Sequence, residues 1–224
     1  KNIDIPILLA TVAGNYADWQ PNRSSSCRRA EDHPELMRLM ESAMEAERGG
    51  DLRLAAQYYA KAVNICPGFA EAIFRQARLY RRLGQNDEAW KLFQKAVDSD
   101  GMPLRATTRE NDLIRGLPAD SHVILIDVVQ GLRDQAQDGL IGDNLMIDGH
   151  HPNLSGYLEI AKMFARGIHD HFGVTKDLRE PTVAEVAEQL GFDESAQFGV
   201  FISRGRWMTR MATWRYDPAE RFAR

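Results

Sequence analysis

Cysteine is scarce: the 224-residue sequence has two, Cys27 and Cys66. That excludes a disulfide-dense scaffold and any Cys-x-x-Cys metal or redox motif. Free thiols are the expectation, and a single Cys27–Cys66 disulfide is the alternative. Long apolar runs are missing too. The longest near the start, Ile5-Pro6-Ile7-Leu8-Leu9-Ala10, is too short to cross a bilayer and lacks the layout of a signal peptide. No charge sign dominates, with 28 Lys and Arg against 32 Asp and Glu and a formal net charge of −4. Nothing in that balance points to nucleic acid as a partner. What remains is 44% hydrophobic and 27% charged, the composition of a globular chain long enough for one large domain or two small ones. The sequence opens on Lys1 rather than Met and enters a strand-like run at once. It reads as a piece of a longer or processed chain, and localisation stays open.

Residues 5–12 form a short apolar run that predicts a buried strand, with Pro6 near its start where a missing N–H is tolerated. Ala13 to His33, rich in Gly, Asn, Pro and Ser, predicts a loop. From Pro34 to about Asp98 the period becomes helical and an internal repeat appears. Gly50 aligns with Gly84 at an offset of 34, and Ala55, Tyr59, Lys61, Ala62 and Val63 meet Ala89, Phe93, Lys95, Ala96 and Val97. A 34-residue period with small–aromatic–small spacing is the tetratricopeptide signature: alanines let helices approach, and the aromatic fills the groove between hairpins. The glycines separate the two helices of each unit, and Pro67 ends the first unit. Helices are predicted at 34–48, 52–65, 69–83 and 86–98. A helix at Thr107–Arg115 follows, and then a continuous apolar strand at Ser121–Asp127. Its lack of alternation suits a parallel strand covered on both faces. A polar segment leads to Asp148-Gly149-His150-His151-Pro152. A helix over 153–172 comes next, with Pro152 suiting its first position, and then helices over 181–191 and 196–224.

Asp148 and His151 are the candidate site. Their spacing lets the carboxylate reach one imidazole nitrogen and leaves the other facing a cleft, where it can exchange a proton. The plainer alternative is a helix cap. His150 is the rival imidazole. Metal binding is not expected: the other histidines, His169 and His171 around Asp170, stand two apart on a helix and face different sides.

Asp148-Gly-His-His151-Pro-Asn-Leu-Ser-Gly156-Tyr resembles the last block of SGNH (GDSL-like) hydrolases, which carries the catalytic Asp and His. Ile5 to Val12 followed by Asn15, Asp18 and Pro21 resembles the strand and loop before the tetratricopeptide insert of one subgroup. Arg105, Arg109 and Asn111 resemble the return from it. The resemblance covers about residues 3–172. It implies a helix-rich α/β fold: part of a flavodoxin-like parallel sheet, interrupted by a two-unit tetratricopeptide insert and ending in a helical extension. The implied division is 1–28 (strand and loop), 29–101 (insert), 102–173 (C-terminal part of the core) and 174–224 (extension). It further implies an acyl-ester substrate, a serine nucleophile, His151 as base then acid, Asp148 orienting it, and no metal or organic cofactor.

The family's Gly-Asp-Ser nucleophile block does not occur in this sequence. This chain alone therefore holds two members of a triad. Asn15, after Gly14, is a distant echo of the oxyanion block. Ser24–Ser26 reads as a solvated loop, and Ser155 as part of the first turn of the closing helix. The arginine- and tryptophan-bearing tail, Arg204 to Arg224, reads as an amphipathic helix docked on the domain. The main rival function is a protein or peptide partner in the repeat groove. Met40, Glu47, Arg75, Arg78 and Arg82 are its candidate contacts.

Overall fold

The computed structural model of the chain describes residues 6–24, 33–117, 122–174 and 179–214. Two strands form its sheet among these residues. Strand β1 (Ile7–Ala10) pairs in parallel with β2 (Val123–Ile126), Ile7 opposite Val123 and Ala10 opposite Ile126. Parallel strands need a crossover, and here the crossover contains four helices of the insert plus α5 (Thr108–Arg115). Polar ties fix the C-terminal end of the sheet. The Thr11 hydroxyl donates to Asp127 at 2.9 Å and accepts from the Val129 N–H at 3.0 Å. Arg115 grips both oxygens of Asp127, at 2.8 and 3.0 Å. Burial alone would raise the Asp127 pKa, but the bonds from Arg115, the Gln130 N–H and Thr11 outweigh it and hold the carboxyl below its usual range. The Asn111 amide accepts from the Val12 N–H (2.7 Å) and donates to the Val12 carbonyl (3.0 Å).

Among the described residues the sheet is covered on one side only. Ile124 and Ile126 lie against Gly167 of α7 (Leu154–Phe172), where a larger residue would collide with Ile126. On the opposite face Ile7 is 59% and Leu125 41% exposed. The expectation of a strand covered on both faces is thus corrected, because no second helical layer packs on that side among the described residues.

The insert is the densest part of the chain. Helices α1 (Pro34–Arg48) and α2 (Leu52–Ile65) form one hairpin; α3 (Ala70–Arg82) and α4 (Asn86–Asp98) form the next. They lie within a residue of where the 34-residue period places them. Ala43, Ala55, Ala62, Ala77, Ala89 and Ala96 are all fully buried, with Tyr59 and Phe93 between them. Gly50 and Gly84 turn each hairpin with φ of +84° and +75°, a region side chains rarely adopt. The second hairpin is tied to the rest of the chain. Tyr16 packs on Trp90 with ring centroids 4.8 Å apart, and burial pushes the Tyr16 hydroxyl up to about 12. Arg133 of α6 (Val128–Gln135) lies over the same indole and bonds Asp87 at 2.6 Å.

Where chain enters and leaves the insert, Ser24 bridges Asp100, and the Asp100 carboxylate accepts from the Asn22 and Arg23 N–H groups. Buried Arg105 donates to the Asn15 and Trp19 carbonyls at 2.7 and 2.6 Å.

Several expectations change. Ser24 is buried, not solvated, because it closes the neck of the insert. Ser25 and Ser26 lie outside the described residues. Cys66 is disulfide-bonded rather than a free thiol; Cys27 lies outside the described residues. Helix α6 occupies what read as a polar segment, with Val128, Val129 and Leu132 forming its buried stripe. Pro152 precedes the cap of α7 instead of opening the helix. The C-terminal helices, α8 (Val183–Leu190) and α9 (Glu194–Trp214), are sparsely packed, and α8 has no buried residue.

Candidate functional site

The candidate residues sit at the tip of a tight loop between α6 and α7. Met146 and Pro152 bridge across its base, the Ile147 N–H donates to the His151 carbonyl (2.8 Å), and the Asn153 N–H to that of Leu145 (3.0 Å). Gly156 makes this closure possible, since a Cβ there would fall on the Leu145 carbonyl oxygen. Gly149 lies flat on the Trp19 indole, and its carbonyl accepts from the Asn15 N–H at 3.0 Å. The loop is therefore gripped from outside by the segment that follows β1.

At the tip, Asp148 Oδ1 accepts from the N–H groups of both His150 and His151, each at 2.9 Å. Its Oδ2 stands 2.8 Å from His151 Nδ1. The helix-cap alternative does not describe this geometry: the cap of α7 is Asn153, whose side chain accepts from the Gly156 N–H at 2.9 Å. Asp148 instead organises the two residues beyond it. Burial by itself would raise its pKa, but the bonds from His150 and His151 outweigh burial and hold it below the usual carboxylate range. Its side chain is 13% exposed, whereas that of His151 is 57% exposed. A carboxylate on Nδ1 fixes the tautomer with the proton there, leaving Nε2 as the acceptor at the exposed end. Such an imidazole can take a proton from an approaching hydroxyl, with the carboxylate stabilising the cation.

His150 is stacked beside His151, ring centroids 3.9 Å apart. Its Nδ1 is buried, lies 3.8 Å from Asp148 Oδ1 and has no hydrogen-bond partner among the described residues. Burial, then the neighbouring His151, lower its pKa against the raising effect of Asp148.

Asn15 is brought to the site but spent on structure. It is fully buried, its Nδ2 donates to Asp143 at 2.8 Å, and its Oδ1 accepts from the Asp18 N–H at 2.9 Å. These bonds fix the loop. Ser155 lies in the first turn of α7, as expected. Asp143 is the residue that sequence reading missed. It accepts from Asn15, its N–H donates to Asp18 (3.0 Å), its carbonyl accepts from Asn153, and it pairs with Arg204 of α9 at 2.6 Å. Gly142-Asp143-Asn144 signals a turn in the sequence and nothing more. Through Asp18 the same network reaches Arg81 of α3 at 2.9 Å.

The second candidate surface is the inner side of the insert. Of its expected contacts, Met40 is fully buried and belongs to the core. Arg75 is largely buried on Glu71 at 2.6 Å, and Glu47 is shared between the Tyr59 hydroxyl and Arg82, at 3.3 Å each. Arg78 and Arg82 are exposed on the same stripe of α3.

Among the described residues no helix is long and apolar enough to cross a membrane. No curated protein and no solved structure matches the chain. Residues 70–101, which span α3 and α4, match the model of the tetratricopeptide repeat, so the second hairpin is a repeat of the kind that points to protein partners.

Proposed function

We propose that this chain is a protein-interaction module of the tetratricopeptide type, carried on part of an SGNH-like α/β core. The observation that supports it most is the repeat match at residues 70–101, in a hairpin stacked on a second hairpin at the same period. The exposed Arg78 and Arg82 would contact the partner's acidic groups. Peptide-display selection against the chain tests this. The expected result is an enriched sequence whose affinity drops at least ~10-fold, about 1.4 kcal/mol, when Arg78 and Arg82 are both changed to Glu. No enrichment, or binding indifferent to those changes, would end this reading.

The Asp148–His151 geometry favours a second reading compatible with the first. In it the complete protein is a serine ester hydrolase or O-acyltransferase, and this chain supplies the orienting carboxylate and the general base. The nucleophile would come from residues outside this sequence, and the division into 1–28, 29–101, 102–173 and 174–224 would hold. Support comes from the 2.8 Å contact, from the exposed Nε2 end, and from Asn153 rather than Asp148 capping the helix. In the complete protein, His151→Ala should lower ester turnover by several orders of magnitude and Asp148→Asn by up to roughly 10⁴-fold. Near-normal cleavage of a chromogenic acetate ester by His151→Ala would reject it.

A further inference from the structure

We propose that Asp148, His150 and His151 form a binding site for a divalent transition-metal ion, zinc foremost, which competes with the Asp148–His151 hydrogen bond. One ligand atom from each residue lies within 4.8 Å of the other two. Two imidazoles and a carboxylate are the donor set that zinc takes in proteins. Ligands about 2.0–2.1 Å from a tetrahedral zinc lie roughly 3.3 Å from each other. Two separations, one to each carboxylate oxygen, fall on either side of that value: 2.8 Å between His151 Nδ1 and Asp148 Oδ2, and 3.8 Å between His150 Nδ1 and Asp148 Oδ1; binding draws the three ligand atoms together from within 4.8 Å.

His150 Nδ1 is the second, independent observation. A buried ring nitrogen without a hydrogen bond is uncommon in a folded chain. The gap of 3.8 Å to the nearest Asp148 oxygen is too long for a hydrogen bond and close to what two ligands of one ion require. The two rings lie against each other, tilted by 43° with centroids 3.9 Å apart, and each approaches one oxygen of the same carboxylate. With His151 more than half exposed, solvent can fill the remaining coordination position. Coordination through His151 Nδ1 shifts the ring proton to Nε2 and replaces the bond to Asp148, which leaves no ring nitrogen of His151 to accept a proton, so the ion and the proton-accepting dyad are mutually exclusive states of one loop. His169 and His171 do not offer an equivalent site, because residues two apart on a helix diverge.

The metal site stands or falls separately from either functional reading, because binding is measured on the ion alone. Zinc chloride is titrated calorimetrically into chelator-treated protein. Saturable uptake of one zinc per chain is expected. It should weaken at least about 100-fold in His150→Ala, the top of the ~10–100-fold range that a ligand's supporting partner alone commands. It should persist in a His169→Ala, His171→Ala double variant. Should His150→Ala fail to fold, zinc should still shift the imidazole Hε1 resonances of both His150 and His151 in the unsubstituted protein. Absence of saturable uptake, uptake unchanged in folded His150→Ala, uptake lost in the His169/His171 variant, or resonances of both loop histidines unmoved by zinc would each overturn the site.

Discussion

The helical insert and the two-stranded sheet solve the same problem with opposite means. The insert buries Tyr59, Phe93 and eight alanines completely, and apolar packing dominates the cohesion of its hairpins, with Glu47 adding bonds to Tyr59 and Arg82. The sheet leaves Ile7 and Leu125 partly exposed and depends on polar ties just beyond the C-terminal ends of its strands: Thr11, Arg115 and Asp127 join the two, and Asn111 holds the Val12 backbone. A short parallel pair open on one face has little apolar area to bury, so charge-assisted hydrogen bonds take a larger share of its cohesion. The lesson concerns sensitivity: the insert should respond to lost volume, and the sheet to lost charge.

The sharpest way to break the comparison is Phe93→Ala. Removing a fully buried aromatic should cost the insert about 3–5 kcal/mol, read as a lower urea midpoint. A loss below about 1 kcal/mol would show that the insert collapses around the gap, and its packing would not be what distinguishes it. Acid probes the other side. The Asp127 pKa is depressed in the folded chain, so its contribution is present above the unfolded carboxylate value of about 3.9 and fades as pH falls through the folded value. Between pH 5 and pH 3, amide exchange at Thr11 and Val129 should accelerate well before exchange at Ala62 does. In Asp127→Asn that extra acceleration should disappear. Simultaneous acceleration of sheet and insert would mean that the sheet has no separate polar dependence. The smallest effect belongs to Leu125→Ser, expected at no more than about 1 kcal/mol because about two fifths of the residue is already in water. A larger loss would reveal that this face of the sheet is covered in solution.

The repeat was legible because it is a statement about period. Alanine and aromatic spacing at an offset of 34 marks α1 to α4 directly. Both strands were legible as short apolar runs, but the number of faces covered was not, since burial of Leu125 depends on residues distant in sequence. Helix α6 escaped because Gln130, Gly131, Arg133 and Asp134 mask a buried stripe of only three residues. At the site, the Asp148–His151 contact followed from spacing within a turn. Asp143, Asp18 and Arg81 did not: they join through tertiary contacts that no local pattern encodes. Met40 failed as a surface residue for a related reason, because helix period alone does not say which stripe faces the neighbouring hairpin.

The Asn111 side chain has a consequence for what else the sheet can accept. Ile7 and Thr11 turn their N–H groups toward β2, so Leu8, Ala10 and Val12 turn theirs toward the outer edge of β1. At Val12 both backbone groups are already taken by the Asn111 amide. A further strand laid along that edge would find Leu8 and Ala10 available and then be stopped. Asn111 thus acts as a terminator for the ladder. It limits how far another chain could zip onto this edge, a protection that open sheets otherwise obtain from charge, proline or a bulge.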